Sequence, residues 1–345
     1  MSDATPPRST RAAARRAARR RARLRRAAIL GGGALLIAGG AVALGVADDG
    51  ADTAIRSAQA APDTVDVRVS GSADDADEKA GDGASDGQAA SADAEPHVDA
   101  LSATEGSLVA GETVTISGAG LEGVTRVAFG DVDAQITRVA DDAVDVVVPT
   151  AVDYVAGDVP VAVEADGAAL AETSDLVYTY AVQTGVDAQL AYALAHWDDY
   201  NVAEFGNLNS IGGDCMNFAS QTLLARGWTQ NDEWYNDGTT SSEAWRYVPT
   251  FQTWMTENAA TIGATELSLD ERDQVKIGDL VVFDWDVSGV PDHIQVVSDV
   301  VRNADGSTTI LMVGHNEDSD YRDLDEALTV DHPGGTAVFW SLPAA

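Results

Sequence analysis

The period of the apolar positions changes along the C-terminal part of the chain. Leu190, Leu194 and Trp197 recur at i, i+4 and i+7 after Asp187, which predicts a helix packing one face inward with Asp187 as its N-cap. A second helix is predicted from Cys215 to about Arg226. Phe218, Ala219, Thr222 and Leu223 continue the face that Cys215 begins, Asp214 stands at the N-cap position, and Gly227 is placed to end the helix. Ser242 and Pro249 open further short helices carrying Trp245, Val248, Trp254 and Met255. Beyond them the apolar residues fall into short runs at 279–285, 293–298, 308–313 and 336–340, which read as strands, with Ala304-Asp305-Gly306 turning the middle pair into a hairpin. Helices followed by an antiparallel sheet predict an α+β domain.

Upstream, residues 97–182 alternate with period two in segments such as Thr113–Ser117, Val124–Phe129, Ala143–Val148, Val159–Ala165 and Leu176–Tyr180. Gly118, Gly120, Gly130, Pro149 and Asp166-Gly167 separate them, as expected of a small all-β sandwich. Residues 48–96 are rich in Asp, Ala, Gly and Ser with few large apolar side chains, and read as a disordered acidic linker. Ala27 to Ala47 carries no charged residue and is long enough to cross a bilayer as a helix. Residues 1–26 hold the Arg clusters Arg15-Arg16 and Arg19-Arg20-Arg21. Since positive charge stays inside, the expectation is a single-pass membrane protein with its N-terminus cytoplasmic and its folded domains extracytoplasmic. A signal segment that is cleaved, releasing a secreted protein, is the alternative. The organisation is therefore 1–26 Arg-rich cytoplasmic segment, 27–47 anchor or signal segment, 48–96 linker, 97–182 Ig-like sandwich and 183–345 α+β domain.

Charge narrows the partners. The chain has 56 Asp+Glu against 21 Lys+Arg, a formal net charge of −35, and the basic residues concentrate ahead of the apolar segment. This balance excludes nucleic acid as a partner of the folded domains. A single cysteine excludes an intrachain disulfide, so both domains stand on their apolar cores.

That cysteine, Cys215, follows a glycine turn and opens a helix, in Gly212-Gly213-Asp214-Cys215-Met216-Asn217-Phe218. Unpaired N–H groups and the positive end of the helix dipole favour a thiolate there and could hold an oxyanion. If Arg302 lies opposite Thr308, His293 and His315 meet at one end of the sheet and can face the same side. A helix-start thiol, an imidazole to take its proton and a third polar group to fix the ring make up a cysteine acyl-transfer site. Asn316 and Glu317 can also accept the second imidazole N–H, while Asp214, Asn217 and Gln221 are of types that cap helices or line pockets. Cys215, His293 and His315 could in principle bind zinc, but no paired-ligand spacing such as His-x-x-x-His occurs, and neither a metal nor another cofactor is expected.

Two family resemblances extend this reading. Ala110-Gly111-Glu112-Thr113-Val114-Thr115-Ile116-Ser117-Gly118, Val127-Ala128-Phe129-Gly130 and Val148-Pro149 resemble the IPT/TIG family of Ig-like modules. Gly212 to Gln221, Gly278-Asp279-Leu280-Val281, Asp292-His293-Ile294-Gln295-Val296-Val297 and the later His315 resemble the putative amidase domain family, which is similar to CHAP amidohydrolases and papain-like cysteine peptidases. Met216 stands where that family usually has Thr, which changes the wall beside the sulfur but no proton-transfer group. The resemblance implies a papain-like fold with Cys215 as nucleophile, His293 as base and then acid, and His315 as the orienting member, Asn316 competing for that role. It implies a cell-surface cysteine amidohydrolase or peptidase acting on an amide bond, with cell-wall peptide or peptidoglycan as substrate. The alternative is a non-catalytic surface module that binds a wall polymer or a protein partner.

Overall fold

A computed structural model describes residues 95–170 and 176–344. The Arg-rich segment, the segment 27–47 and nearly all of the linker lie outside the described residues. Among the described residues no helix is long and apolar enough to cross a membrane.

The first folded region is a β-sandwich. One sheet has the order β1-β3-β7-β6, from β1 (His97–Leu101), β3 (Thr113–Ala119), β6 (Gln135–Val139) and β7 (Ala143–Val147). The other runs β2-β10-β8-β4-β5, from β2 (Glu105–Ser107), β4 (Val124–Phe129), β5 (Val132–Asp133), β8 (Gly157–Ala165) and β10 (Val177–Ala181), with β9 (Ala168–Ala169) paired to β8. Alternation explains the core. Val114 and Ile116 of β3, Val144 and Val146 of β7, and Val161 and Val163 of β8 are fully buried, and the residues between them are less so. Phe129 and Tyr178 meet edge to face, with centroids 5.1 Å apart.

The second region is α+β. Helices α1 (Gly185–His196), α2 (Cys215–Ala225) and α3 (Val248–Ile262) precede or flank a six-stranded sheet of order β11-β16-β12-β13-β14-β15. Its strands are β11 (Thr265–Leu267), β12 (Leu280–Asp284), β13 (His293–Arg302), β14 (Thr308–Gly314), β15 (Ser319–Asp323) and β16 (Thr336–Ser341), and every pairing is antiparallel. Leu280, Val282, Ile294, Val296 and Val313 join Leu190, Leu194 and Phe218 of the helices in one core. The alternate residues Val281, Phe283, Val297, Met312 and Phe339 form a second core. Both faces are thus covered, and the strands read as continuous apolar runs.

Two cap assignments change. Thr184, not Asp187, is the N-cap of α1; Asp187 lies at the third helical position and completes a capping box. Asp214 occupies the N-cap position of α2 but makes no capping bond with its side chain. At the far end of α2, buried Arg226 bonds Gln189 Oε1, the Gly278 carbonyl and the Pro343 carbonyl, tying the helix to α1 and the sheet.

The hairpin register holds only for part of its length. Arg302 pairs with Thr308 as predicted, but a bulge between Val297 and Asp299 leaves Ser298 as an extra residue, so Val297 pairs with Met312 and Val296 with Val313. Continuing that register sets His315 opposite Ile294, not beside His293. A one-residue slip exchanges the faces. His315 turns toward α2, stacking on Phe218, while His293 turns toward Phe283 and Trp285.

The sandwich and the α+β region share polar contacts. Asp187 accepts from the Ser107 hydroxyl and the Val109 N–H of the sandwich while also accepting from Gln183 and Thr184 N–H. Tyr154, buried in the sandwich, donates its hydroxyl to the carbonyl of Ser298, the bulge residue, at 2.7 Å.

Candidate active site

Cys215 begins α2 because the two glycines ahead of it reach φ 125° (Gly212) and 121° (Gly213), which lets the chain turn sharply into the helix. The residue is only 7% exposed. Burial raises its thiol pKa to about 11, against the lowering effect of the Ile294 and Met216 N–H groups bonded to the sulfur. Those N–H groups have a structural origin: Met216 N lies in the first turn of α2, and Ile294 lies beyond the last residue of β13 paired to β14. The sulfur therefore sits where the two strands diverge, beside the peptide that joins His293 to Ile294. The ionised thiol predicted from the helix start is corrected: desolvation outweighs the donors, and the resting group is a neutral thiol.

His293 is also buried, at 6% exposure, and its Nε2 makes no hydrogen bond among the described residues. Burial first, then Coulombic interaction with Arg322 and His332, lowers its pKa to about 3. The imidazole is neutral. Its ring lies 5.9 Å from Trp285, which itself stacks on His332 at 4.0 Å. Packing rather than a hydrogen bond holds this ring.

His315 does not orient His293. Its Nε2 lies 2.9 Å from the His196 carbonyl and its Nδ1 2.6 Å from Asp214 Oδ2, so both ring nitrogens are engaged. A carbonyl only accepts, so Nε2 carries a proton, and a further proton lies between Nδ1 and Asp214. The ring is stacked between Tyr200 at 3.5 Å and Phe218 at 4.1 Å. Asp214 also accepts from Leu208 N and Asn217 Nδ2. The pair fixes the turn into α2 from beneath.

Asn316 does not reach His293 with its hydrogen bonds either. Its Oδ1 accepts from the N–H groups of Asp214 and, at 2.7 Å, Cys215, and its Nδ2 donates to Asn209 Oδ1. It caps α2 from another part of the chain. Glu317 pairs with Arg322 and His332. Asn217 accepts from Trp245 Nε1, and Gln221 accepts from the Tyr192 hydroxyl; both are structural ties under the helix. The sequence pointed to Cys215 and His293 but missed Trp285, Asn209 and Tyr200, whose residue types carry no chemical signal by themselves.

Zinc is not favoured by this donor set, because both nitrogens of His315 are already committed. Carboxylate oxygens of Asp284, Asp286 and Asp292 lie within 4.8 Å of one another. They accept N–H groups of Ser288, Gly289 and Trp285 and close the loop between β12 and β13.

Comparison with known families and structures follows the same division. Residues 184–339 match the family described as "Putative amidase domain", and residues 96–180 match the IPT/TIG domain. The two matches stand in the order IPT/TIG domain then amidase domain, and the second suggests a hydrolytic role. No curated protein matches the chain. Among solved structures, the plexin A4 extracellular region is 27% identical over 25% of this chain and 8% of that one, with a TM-score of 0.22. An auxiliary nutrient binding protein from Bacteroides ovatus is 24% identical over 26% of this chain and 20% of its own, with a TM-score of 0.18. A Bacteroides ovatus glucan-utilization protein, SGBP-B, is 10% identical over 70% of this chain and 50% of its own, with a TM-score of 0.19. The chain spans a small part of the plexin, and similarity at these scores has no bearing on activity.

Proposed function

We propose that the C-terminal domain is a papain-like cysteine amidohydrolase in which Cys215 attacks an amide carbonyl and His293 moves the protons. The observation that carries this reading is the placement of the sulfur: it lies at the start of α2 against the N–H of Ile294, the residue after His293, whose Nε2 is buried without a partner among the described residues. Thiol and imidazole are both neutral at rest, and His293 turns from its packing on Trp285 toward the sulfur for the pair to ionise as substrate binds. His293 takes the thiol proton, and the sulfur adds to the carbonyl carbon as the C=O π pair moves to oxygen. Collapse of that intermediate breaks the C–N bond, His293 gives its proton to the leaving amine, and a thioester remains. Water then attacks the thioester with His293 again as base, regenerating the thiol.

N–H groups at the start of α2 are the donors for the oxyanion. With His315 engaged by Asp214, the ring of His293 is oriented by Trp285. The apolar segment 27–47 and the resemblance to CHAP amidohydrolases support a cell-surface site of action and a peptide of the cell wall as substrate. The full chain and its Cys215→Ala form are to be incubated with purified peptidoglycan, and released amines and peptides followed by mass spectrometry. Release by the native chain alone is expected, with at least a ~10²-fold loss in the variant. Equal release by the two chains rules out the thiol mechanism.

A further inference from the structure

The N–H of Cys215, at the start of α2, is already taken. Asn316 Oδ1 accepts it at 2.7 Å and accepts the Asp214 N–H as well. The side chain is held there deliberately by local structure. Asn316 has φ 55°, in the left-handed region that Asn tolerates, within the turn between β14 and β15. Its Nδ2 is bonded to Asn209, an exposed residue of the loop before α2. Gly213 makes room: a Cβ there would lie 3.1 Å from Asn316 Oδ1. What fills the position is a carboxamide oxygen, the same functional group as the carbonyl of a scissile amide.

We propose that Asn316 is an internal occupant of the oxyanion site, latched by Asn209, and that it must swing away before a substrate carbonyl can be activated there. The inference rests on the reading of Cys215 as nucleophile. The helix start is not its only support: the imidazole nitrogen of His293, the residue before the Ile294 N–H that meets the sulfur, is buried and unbonded among the described residues. The low exposure of Cys215 and His293 describes the same closed state. A neutral amide oxygen is a weaker acceptor than an oxyanion, so the exchange favours the substrate as charge develops.

Two probes separate this role from that of a simple cap. Acylation of Cys215 by p-nitrophenyl acetate passes through an oxyanion: the S–C bond forms, the C–O bond to the aryl group breaks, p-nitrophenolate leaves, and the thiol proton passes through His293 to solvent. Alkylation by iodoacetamide displaces iodide and builds no charge on a carbonyl oxygen. The ratio of the two rates therefore reads the oxyanion site while cancelling changes in thiol ionisation. Asn316→Gly removes the carboxamide and suits the positive φ. It is expected to raise the ratio by about ten- to a hundredfold over the native chain, within the range of one oxyanion donor. Asn209→Ala keeps the carboxamide, frees only its latch, and is expected to raise the ratio less. A ratio above that of N-acetylcysteine in the native chain that does not rise in either variant overturns the occupant and leaves the hydrolase reading standing. Ratios equal to that of N-acetylcysteine in all three chains overturn the hydrolase reading and the occupant with it. Should Asn316→Gly fail to fold by its thermal transition, Asn209→Ala decides the matter by the same criteria.

Discussion

At the residue scale, the site is governed by burial rather than by the helix dipole. Cys215 faces the donors its sequence position promised, yet desolvation holds its pKa at about 11, and His293 is lowered to about 3. With these values about one thiol in ten thousand is ionised at pH 7, and the imidazole does not titrate near its usual value. The expected outcome is that iodoacetamide alkylates Cys215 slowly at pH 7, and about tenfold faster for each pH unit up to about 11, with no inflection near pH 6.5. A plateau reached below pH 8 contradicts a thiol held neutral by burial. The candidate nucleophile was legible in the sequence because Cys215 is unique and its neighbours define a helix start. The protonation of Cys215 and His293 was not, since it depends on what covers them, and Asn316, Tyr200 and Trp285 come from distant parts of the chain.

At the element scale, the decisive feature is the bulge at Ser298. Apolar runs announced the strands closely, because strands buried on both faces must be apolar throughout. That same continuity hides register: when both faces are apolar, a one-residue slip leaves no mark on the pattern. The predicted pairing of Arg302 with Thr308 is present, and the bulge then sends His315 to the α2 face and His293 to the other. Gly314, the last residue of β14, is matched to this arrangement. A Cβ there would lie 2.8 Å from Cγ of Gln295, whose amide bonds Ser319. Gly314→Ala is expected to cost about 1–3 kcal/mol by forcing this packed side chain aside. Urea unfolding checks it, and an unchanged midpoint would show that β13 and β14 can part without cost.

At the scale of the whole molecule, the described regions are joined by side chains that neither domain's sequence pattern singles out. Asp187 is pushed up by its burial, but the Ser107 hydroxyl and the N–H groups of Gln183, Val109 and Thr184 hold it below the usual carboxylate range. One side chain thereby closes the α1 capping box and binds the sandwich. Asp187→Ala strands those donors and is expected to destabilise the protein by about 3 kcal/mol, seen as a lower midpoint in urea. Retention of the native midpoint would mean that the contact contributes nothing to folding. Tyr154 reaches the carbonyl of Ser298 itself, so the sandwich touches the bulge that sets the direction of His293. This contact gives the sandwich a structural hold on the strand of the candidate base. Nothing in the alternation of its strands could have indicated that, because the contact is made by a residue in a connecting turn.

The central claim is that an acyl group passes through Cys215. The most direct measurement is intact-mass analysis of the full chain, quenched in acid during turnover of peptidoglycan fragments, followed by peptide mapping. The account predicts a mass increase equal to the acyl portion of the fragment, located on the peptide containing Cys215 and lost on treatment with hydroxylamine. Turnover that proceeds with no such adduct, and that survives Cys215→Ala, would contradict it.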